Sequence, residues 1–310
     1  FSSLSPNFRR VPPDFLRSFR SVEYKTCGWK LSEDRKYLTI TDSTGIGKLK
    51  LVGSRDLHFY QKTQIKRIRL VRRADGYYAQ FCIDITRVEK AKSTGNYLGI
   101  DVGLESFYTD STGKKVENPR FFRKSEKKLK KFQRKLSKCK KGSNNRRKAQ
   151  KKLAKQHLKV SRQRKDFVVK TARYVAMSND IVVIENLNIK GLFRTKLAKS
   201  INDASWSMFR EWLEYFCQVF DRKLIAVNPN YTSQDCSNCG QRVKKSLSTR
   251  THVCSCGTKL DRDHNAGINI LNQGLDSVGH TQIAQEYWVN ASGQMSLFCI
   301  DENQYTKFAG

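Results

Sequence analysis

Hydrophobic and polar residues alternate in short runs through residues 1–95, which is the period of β-strands. The segment IKRIRLVRRADGYYAQFCIDI holds two such runs joined near Asp75-Gly76. An Asp-Gly pair between two alternating runs is typical of a β-hairpin. The pattern therefore predicts a small barrel or open sheet in this part of the chain. Its lysines and arginines suit contact with a phosphate backbone, and ordinary solvent-facing strands explain them equally well.

From residue 96 onward, apolar strands alternate with helices. The segments YLGIDVG, IVVIENLN and KLIAVN are short apolar runs, and ESFYTDSTGKKV predicts two strands around a turn at residues 111–113. The segment SWSMFREWLEYFCQVFDRK carries apolar residues at helical spacing, and DRDHNAGINILN predicts a helix over residues 261–272. This alternation indicates an α/β layered fold. No periodicity assigns an element to residues 274–310.

Two basic helices are predicted within residues 123–177. Apolar residues recur at heptad-like spacing on both sides of a break at residues 142–145: Leu129, Phe132, Leu136, Cys139, Leu153, Val160 and Phe167. Such a seam joins two antiparallel helices. Residues 123–173 hold 23 Lys+Arg and two acids, so the helices repel each other unless an anion binds. A solvated coiled coil is the alternative, but such coils mix both signs of charge.

The charge of the whole chain also points to a polyanionic partner. The 310 residues include 60 Lys+Arg and 28 Asp+Glu, a formal net charge of +32. A hydrophobic content of 38% excludes global disorder, and the absence of an apolar run near roughly 20 residues excludes a membrane-spanning protein. DNA or RNA is the first candidate partner, and an anionic membrane surface is the second. The candidate nucleic-acid contacts are Lys127, Lys130, Lys131, Arg134, Lys138, Arg146, Arg147 and Arg262.

Four of the nine cysteines form a cluster: Cys236, Cys239, Cys254 and Cys256. Two short knuckles of this kind, each beside a glycine, can close a tetrahedron of thiolates around Zn²⁺. We therefore expect a structural zinc ribbon, since a closed shell of four thiolates leaves no open position for catalysis. His252 is the alternative fourth ligand. The scattered remaining cysteines argue against a disulfide framework and favour a reducing compartment, cytoplasm or nucleoid.

Acidic residues stand at the ends of the predicted apolar strands. Asp101 follows the run YLGI, Glu185 follows IVVI, and Asp261 and Asp263 precede the helix NAGINIL. Each has a structural explanation when taken alone: a turn residue, a cap, or a helix N-cap. Strand ends of one sheet, however, bring distant acids to one edge. Two carboxylates on adjacent strands and a third at a helix start can hold two Mg²⁺ ions for phosphodiester hydrolysis.

These residues lie in segments that resemble the TnpB (OrfB) family of insertion-sequence transposons, relatives of the type V CRISPR effectors. The matching segments, in family order, are GIGKLKL, YLGIDVG, IVVIENLN, PNYTSQDCSNCG, THVCSCG and LDRDHNAGINIL. The resemblance implies an RNase H-like (RuvC) nuclease domain with an inserted zinc ribbon and the basic helical hairpin, preceded by a small β-barrel (wedge-like) domain. It also implies an RNA-guided DNA endonuclease, with a guide RNA from the transposon end and target DNA as partners.

Carried over to this chain, the catalytic and magnesium-binding acids of the family are Asp101, Glu185 and Asp263. Asp261 is the alternative for the third role. The order Asp-Glu-Asp differs from the Asp-Asp-Glu order of cut-and-paste transposases, so the resemblance implies hydrolytic cutting without strand transfer. Two other functions stay open: a non-cleaving zinc-ribbon protein that binds DNA or RNA, from a decayed transposon copy, and an unguided structure-specific nuclease.

The expected division of the chain follows from these segments. In order, it is 1–95 wedge-like domain, 96–122 RuvC part I, 123–177 basic hairpin, 178–231 RuvC part II, 232–257 zinc ribbon, 258–273 RuvC part III, and 274–310 unassigned. The resemblance implies that the wedge-like domain is incomplete and that an N-terminal strand and a helical insertion of full-length relatives are missing. It further implies a cytoplasmic, nucleoid-associated protein of prokaryotic type, and it gives no oligomeric state.

Overall fold

The computed structural model describes residues 21–43, 45–53, 57–85, 87–89, 91–195, 197–246, 248–278 and 306–308. The chain divides into two compact units. The first unit comprises Phe1–Thr86, Lys138–Leu158 and Asn290–Gly310, and the second comprises Arg87–Ser137 and Lys159–Val289. The predictions for residues 1–20 and for most of the segment 274–310 lie outside the described residues. None of the helices in the described ranges is long and apolar enough to cross a bilayer.

The first unit contains a seven-stranded sheet whose neighbouring strands are all antiparallel. Its strands are β1 (Ser21–Lys25), β2 (Trp29–Leu31), β3 (Tyr37–Ile40), β4 (Lys48–Val52), β5 (Ile65–Arg72), β6 (Tyr77–Ile83) and β14 (Thr306–Phe308). They lie in the order β1-β5-β6-β14-β4-β3-β2. Among the described strands, β1 and β2 form the two edges, so the hydrogen bonding is that of an open sheet and not of a closed barrel.

The predicted hairpin forms between β5 and β6. Arg72 pairs with Tyr77, which places Asp75-Gly76 in the connecting turn. Alternate residues of β5 such as Ile68 and Leu70 are buried in the core of the unit, because a strand directs every second side chain to the same face.

One strand of this sheet comes from the segment that the sequence left unassigned. In β14, Lys307 pairs with Val52 of β4 on one side and with Tyr78 of β6 on the other. Part of residues 274–310 therefore extends the N-terminal domain beyond the expected residues 1–95. A strand of three residues is too short for hydrophobic periodicity to reveal, because main-chain pairing decides its place.

The second unit is built on a five-stranded sheet in the order β11-β10-β7-β8-β9. Its strands are β7 (Tyr97–Val102), β8 (Ser106–Asp110), β9 (Lys115–Glu117), β10 (Ile181–Glu185) and β11 (Lys223–Val227). The three strands β7, β10 and β11 run parallel, whereas β8 and β9 return antiparallel. The predicted turn at residues 111–113 connects β8 to β9. The short strands β12 (Thr251–Val253) and β13 (Lys259–Asp261) form a separate pair.

Six α-helices complete the described fold. They are α1 (Phe121–Lys138), α2 (Asn144–Ser178), α3 (Ile189–Leu192), α4 (Ala198–Ala204), α5 (Trp206–Val219) and α6 (Arg262–Val278). A break between the basic helices is present, but it lies at residues 139–143 and not at the predicted residues 142–145. Helix α6 continues past the predicted end at residue 272, because Ile270 and Gly274 extend its buried face over a further turn.

The C-terminal half of α2 belongs to the α/β core and not to a solvated hairpin. Val168, Ala172 and Val175 are buried in the same apolar cluster as the sheet residue Phe107. Phe167, predicted as part of the hairpin seam, has its ring centroid 4.9 Å from that of Phe107. The segment expected as the basic hairpin, residues 123–177, therefore includes helical turns that pack in the core. Helical spacing alone does not distinguish a partner helix from a sheet as the packing surface.

A buried carboxylate fixes the start of α1. The two side-chain oxygens of Asp203 accept hydrogen bonds from the backbone N–H groups of Phe122 at 2.8 Å and Arg123 at 3.1 Å. The guanidinium of Arg164, on α2, lies 3.1 Å from the same carboxylate. Asp203 thus supplies from α4 the N-terminal cap that the basic helix lacks in its own sequence.

Candidate active site and cysteine cluster

The parallel strands β7 and β10 bring the first two predicted acids to one edge of the sheet. Asp101 lies on β7, and Glu185 is the last residue of β10. Ile100 pairs with Ile184 in parallel register, so the next residue of each strand lies at the same level of the sheet. Neighbouring parallel strands are roughly 4.8 Å apart, which is close enough for both carboxylates to share an ion.

Helix α6 carries the third acid across this edge. A Cβ atom on Gly99 of β7 would lie 2.2 Å from the carbonyl oxygen of Gly267, and one on Gly267 would lie 2.9 Å from the backbone of Asp110. Only glycine allows this approach of helix and strand. Asp263 stands one helical turn before Gly267 and is therefore held near Asp101.

The electrostatics of Asp101 reflect this convergence. Burial raises its pKa well above the usual range, and the charges of Glu185 and Asp263 raise it further. Burial also raises the pKa of Glu185, against the effect of a hydrogen bond from Thr232. Carboxylates gathered in a partly buried site need a cation to remain ionised together. The donor set therefore fits a divalent ion with oxygen ligands.

Asp261 and Asp263 have different surroundings. Asp261 accepts the backbone N–H groups of Asp263 at 3.0 Å and His264 at 3.3 Å, so it is the N-cap of α6. Its carboxylate also binds the amino group of Lys115 at 2.8 Å. Of the two sequence candidates for the third acid, this geometry favours Asp263, and it gives the cap position to Asp261 instead.

Two arginines face the carboxylate of Asp263. Arg262 donates to Oδ1 from Nε at 3.0 Å and from Nη2 at 2.9 Å. Arg250 lies 3.6 Å from Oδ2 and also binds Glu105 at 2.7 Å. The guanidinium of Arg262, predicted to contact nucleic acid, is thus directed at the acid site. Arg250, which lies between the two cysteine pairs and was expected to be able to touch phosphate, instead contacts Asp263 and the loop residue Glu105.

Sequence analysis also missed three uncharged residues around the site. The hydroxyl of Thr232 donates to Oε1 of Glu185 at 2.6 Å. Asn269 on α6 donates to the backbone carbonyls of Thr232 and Asp235, and Asn265 donates to Asp235 as well. Only the position of these residues inside the segments PNYTSQDCSNCG and LDRDHNAGINIL could have drawn attention to them.

The four clustered cysteines meet as their spacing predicts. Their sulfur atoms all lie within 4.8 Å of one another, with Cys236 and Cys256 3.7 Å apart and Cys239 and Cys254 3.6 Å apart. A tetrahedral zinc with Zn–S bonds of about 2.3 Å needs sulfurs about 3.8 Å apart, so the geometry fits. A hydrogen bond from the Thr258 hydroxyl lowers the pKa of Cys256 to about 6, which favours the thiolate.

His252 stands apart from the cluster of sulfurs. Its ring is fully buried, and its Nδ1 faces the amino group of Lys245. The group of possible metal ligands among the described residues contains the four cysteines without it. The cluster therefore supports four cysteine ligands and not the alternative in which His252 replaces one.

Most of the predicted nucleic-acid contacts lie on the surfaces of the basic helices. The exposed members are Lys127, Lys130, Lys131, Arg134, Lys138 and Arg147. Lys130 forms an ion pair with Glu126 at 2.9 Å, and Arg146 donates to the carbonyl of Cys139 at 3.1 Å. These two residues thus also make contacts within the protein, whereas their contact with nucleic acid stays a prediction.

Two family models match separate parts of the chain. Residues 80–196 match OrfB_IS605, described as "Probable transposase", and residues 206–270 match the Cas12f1-like TNB domain. The chain is similar to the TnpB (OrfB) proteins. The resemblance stated from the sequence is confirmed. The first model includes Asp101 and Glu185, and the second includes the cysteine cluster and Asp263.

Relatives of this TnpB-like chain carry names that describe a nuclease. A protein of Streptomyces pristinaespiralis named "Putative RNA-guided DNA endonuclease" is 38% identical over 191 residues, which cover 61% of this chain and 48% of that protein. The Escherichia coli K12 protein InsQ, with the same description, is 31% identical over 199 residues, covering 58% of this chain and 50% of InsQ. The chain therefore spans about half the length of these curated relatives.

The fold is similar to that of Cas12f1 in a cryo-EM structure of its complex with sgRNA and target DNA. The TM-score is 0.52 at 17% sequence identity, and the match covers 81% of this chain and 59% of that chain. At this identity the likeness concerns the fold. It confirms the mixed α/β architecture that the alternation of strands and helices predicted.

Proposed function

We propose that the TnpB-like chain is the nuclease part of an RNA-guided DNA endonuclease with a RuvC-type active site. The observation that carries this proposal is the convergence of Asp101, Glu185 and Asp263 at one sheet edge. In a chain with a net charge of +32, acids gathered in this way suit a metal site, while basic surfaces suit the substrate.

The three carboxylates would hold two Mg²⁺ ions. Bound there, the ions would supply an activated water and a stabilised leaving oxygen for hydrolysis of a DNA phosphodiester. Asp101 and Glu185 offer oxygen ligands from rigid strand ends, and Asp263 offers a third from the first turn of α6. Arg250 and Arg262 keep positive charge beside Asp263, where a substrate phosphate can be held. The four cysteines would hold a structural Zn²⁺ in a ribbon beside this site.

The exposed lysines and arginines of α1 and α2 would bind the phosphate backbone of guide RNA and target DNA. Their contacts carry no sequence information, so base pairing with the guide selects the target. A guide RNA from the transposon end and a prokaryotic cytoplasm complete the proposal. Because binding rests on many charges, it weakens steeply as salt concentration rises.

The test starts from RNA that co-purifies with the expressed chain and its downstream flanking DNA. We expect one RNA species that ends at the transposon boundary, and Mg²⁺-dependent cleavage of DNA complementary to its variable end. Asp101→Asn abolishes cleavage but keeps RNA binding, whereas Asp166→Asn, at an exposed acid on α2, changes neither.

Other outcomes separate the alternatives. Binding of a selected RNA with no cleavage by the wild-type chain favours a non-cleaving binder. Cleavage that survives Asp101→Asn contradicts the proposed active site. Cleavage of branched DNA by RNA-free protein favours an unguided structure-specific nuclease.

A further inference from the structure

We propose that Thr232 is a positioning residue that orients Glu185 for divalent-ion binding and couples it to the helix that carries Asp263. This inference rests on the proposed role of Glu185 as a metal ligand. Thr232 lies shortly before Cys236, the first cysteine of the cluster. None of the charged residues that the sequence suggested for the site is its neighbour in the chain.

The contact between Thr232 and Glu185 is short and shielded. The hydroxyl donates to Oε1 at 2.6 Å, and Thr232 is only 4% exposed. An O–H donor on an ionised acceptor at this distance makes a strong, charge-assisted hydrogen bond. The bond occupies one carboxylate oxygen and leaves the other for a cation.

Glu185 needs this help because its backbone and its side chain are fixed by different means. Parallel pairing with Val227 fixes the backbone at the end of β10, and the N–H of Asn186 donates to the carbonyl of Val227. Pairing does not fix the rotatable bonds of a glutamate side chain, and ordering those bonds costs conformational entropy. The Thr232 hydroxyl holds the end of that side chain before an ion arrives.

Thr232 is itself held by α6. Its carbonyl accepts a hydrogen bond from Asn269 at 2.8 Å, and Asn269 also donates to the carbonyl of Asp235 at 2.7 Å. Asn265, four residues earlier and fully buried, donates to Asp235 at 2.8 Å. Residues four apart share one helix face, so both asparagines bond the chain segment that contains Thr232 and Asp235. Asp263 stands on this helix, and the position of Glu185 therefore depends on the placement of α6.

The test is an EPR titration with Mn²⁺ of the zinc-loaded full chain without nucleic acid, so the readout is ion binding and not activity. We expect Thr232→Val, which keeps the shape and removes the hydroxyl, to weaken Mn²⁺ binding about 10- to 100-fold, as loss of an outer-sphere partner does. Thr232→Ser restores the hydroxyl and stays within about threefold of the wild type. The matched control is Thr171→Val, because the Thr171 hydroxyl bonds only a helix carbonyl, that of Phe167, in the described contacts.

A second variant guards against misfolding. Asn269→Ala keeps the Thr232 hydroxyl but removes the hydrogen bonds to the carbonyls of Thr232 and Asp235, and we expect a smaller loss of Mn²⁺ affinity than in Thr232→Val. If Thr232→Val does not fold, this variant and Thr232→Ser carry the test. Circular dichroism and melting curves of each variant show whether it is folded.

The outcomes separate this inference from the proposed function. Wild-type affinity in a folded Thr232→Val variant overturns the positioning role alone, provided that Asp101→Asn abolishes binding. Wild-type affinity in a folded Asn269→Ala variant overturns the coupling to α6. If the wild type binds Mn²⁺ no better than Asp101→Asn does, the metal site and the role of Thr232 both fail.

Discussion

Two groups of buried or partly buried carboxylates in the second unit differ in how their charge is compensated. Asp203, with a side chain 3% exposed, accepts two backbone N–H groups at the start of α1 and faces Arg164. Asp101 is surrounded by further acids, and burial together with those charges raises its pKa. Burial alone therefore does not identify a catalytic acid. Among the described residues only the charge of Arg262 works against the rise in the pKa of Asp101, which is why we propose an external cation at Asp101.

Asp180 gives a second example of a compensated acid. It accepts hydrogen bonds from the Ser93 hydroxyl and from the backbone of Thr94 and Gly95, and it pairs with Arg222. Although burial raises its pKa, these hydrogen bonds lower it to about 2. Acids of this kind hold chain segments together. The acids at the sheet edge repel one another, and a bound cation would reduce that repulsion.

The largest expected effect concerns the uncompensated acid. Asp101→Asn removes one ligand of the proposed metal site, and we expect Mg²⁺-dependent DNA cleavage by the RNA-loaded chain to fall about a thousandfold or more. Because the substitution also removes repulsion among the acids, the free energy of unfolding without metal stays equal or rises by about 1 kcal/mol. A cleavage assay measures the loss of activity, and urea unfolding measures the free energy of unfolding. A clear loss of stability in Asp101→Asn would contradict the proposed difference between Asp101 and Asp203.

The compensated acid gives the opposite result. Asp203→Ala leaves Arg164 without its buried partner and removes the cap of α1, and we expect the free energy of unfolding to fall by about 3–5 kcal/mol. Chemical denaturation measures this change. In the folded fraction at low denaturant, Mn²⁺ binding stays near the wild-type value, and a selective loss of Mn²⁺ binding would refute a purely structural role.

A smaller effect is expected on stability at acid pH, where a compensated acid such as Asp180 loses its stabilising contacts. The pKa of Asp180 in the folded chain, about 2, lies below its unfolded value near 4, so its stabilisation is present above about pH 4 and is lost as pH falls toward 2. Between these pH values, we expect wild type to lose about 2 kcal/mol more than Asp180→Asn. Unfolding curves at pH 2, 3, 4 and 6 give the slope of the unfolding free energy against pH for the wild type and for Asp180→Asn. Equal slopes would show that Asp180 is not compensated in solution.

The smallest effect concerns an exposed acid. Asp166 pairs with Lys170 at 2.8 Å on the surface of α2, where both side chains are more than half exposed. Exposed pairs of this kind contribute little, so Asp166→Asn changes the unfolding free energy by less than about 0.5 kcal/mol. Thermal melting of this variant beside Asp203→Ala sets the baseline. A change as large as that of Asp203→Ala would remove the distinction between buried and exposed acids.

The sequence was sufficient wherever local spacing determines the structure. The Asp-Gly hairpin, the alternation of strands and helices, and the meeting of Cys236 with Cys256 follow from positions that are close in sequence or repeat regularly. The meeting of Asp101 and Glu185 also follows, because parallel strands end at the same edge of a sheet. These predictions need no knowledge of side-chain packing.

Contacts between distant segments could not be predicted in this way. Asp203 caps a helix that begins 82 residues earlier, and Thr232 reaches Glu185 from 47 residues later. Nothing in the local sequence of either residue specifies its partner. For the same reason, the sequence could not decide that Asp261 caps α6 while Asp263 faces the acids, since the two are equivalent cap candidates until the helix start is known.

The contact of Gly99 with Gly267 has a consequence for judging whether a copy of this sequence is active. A single added methyl group at either glycine would force α6 away from the sheet, and a shift of about 1 Å in a reacting group can cost about a hundredfold in rate. A copy can therefore retain all its acids and still be silent. Surveys of intact copies should examine these two glycines together with the acids.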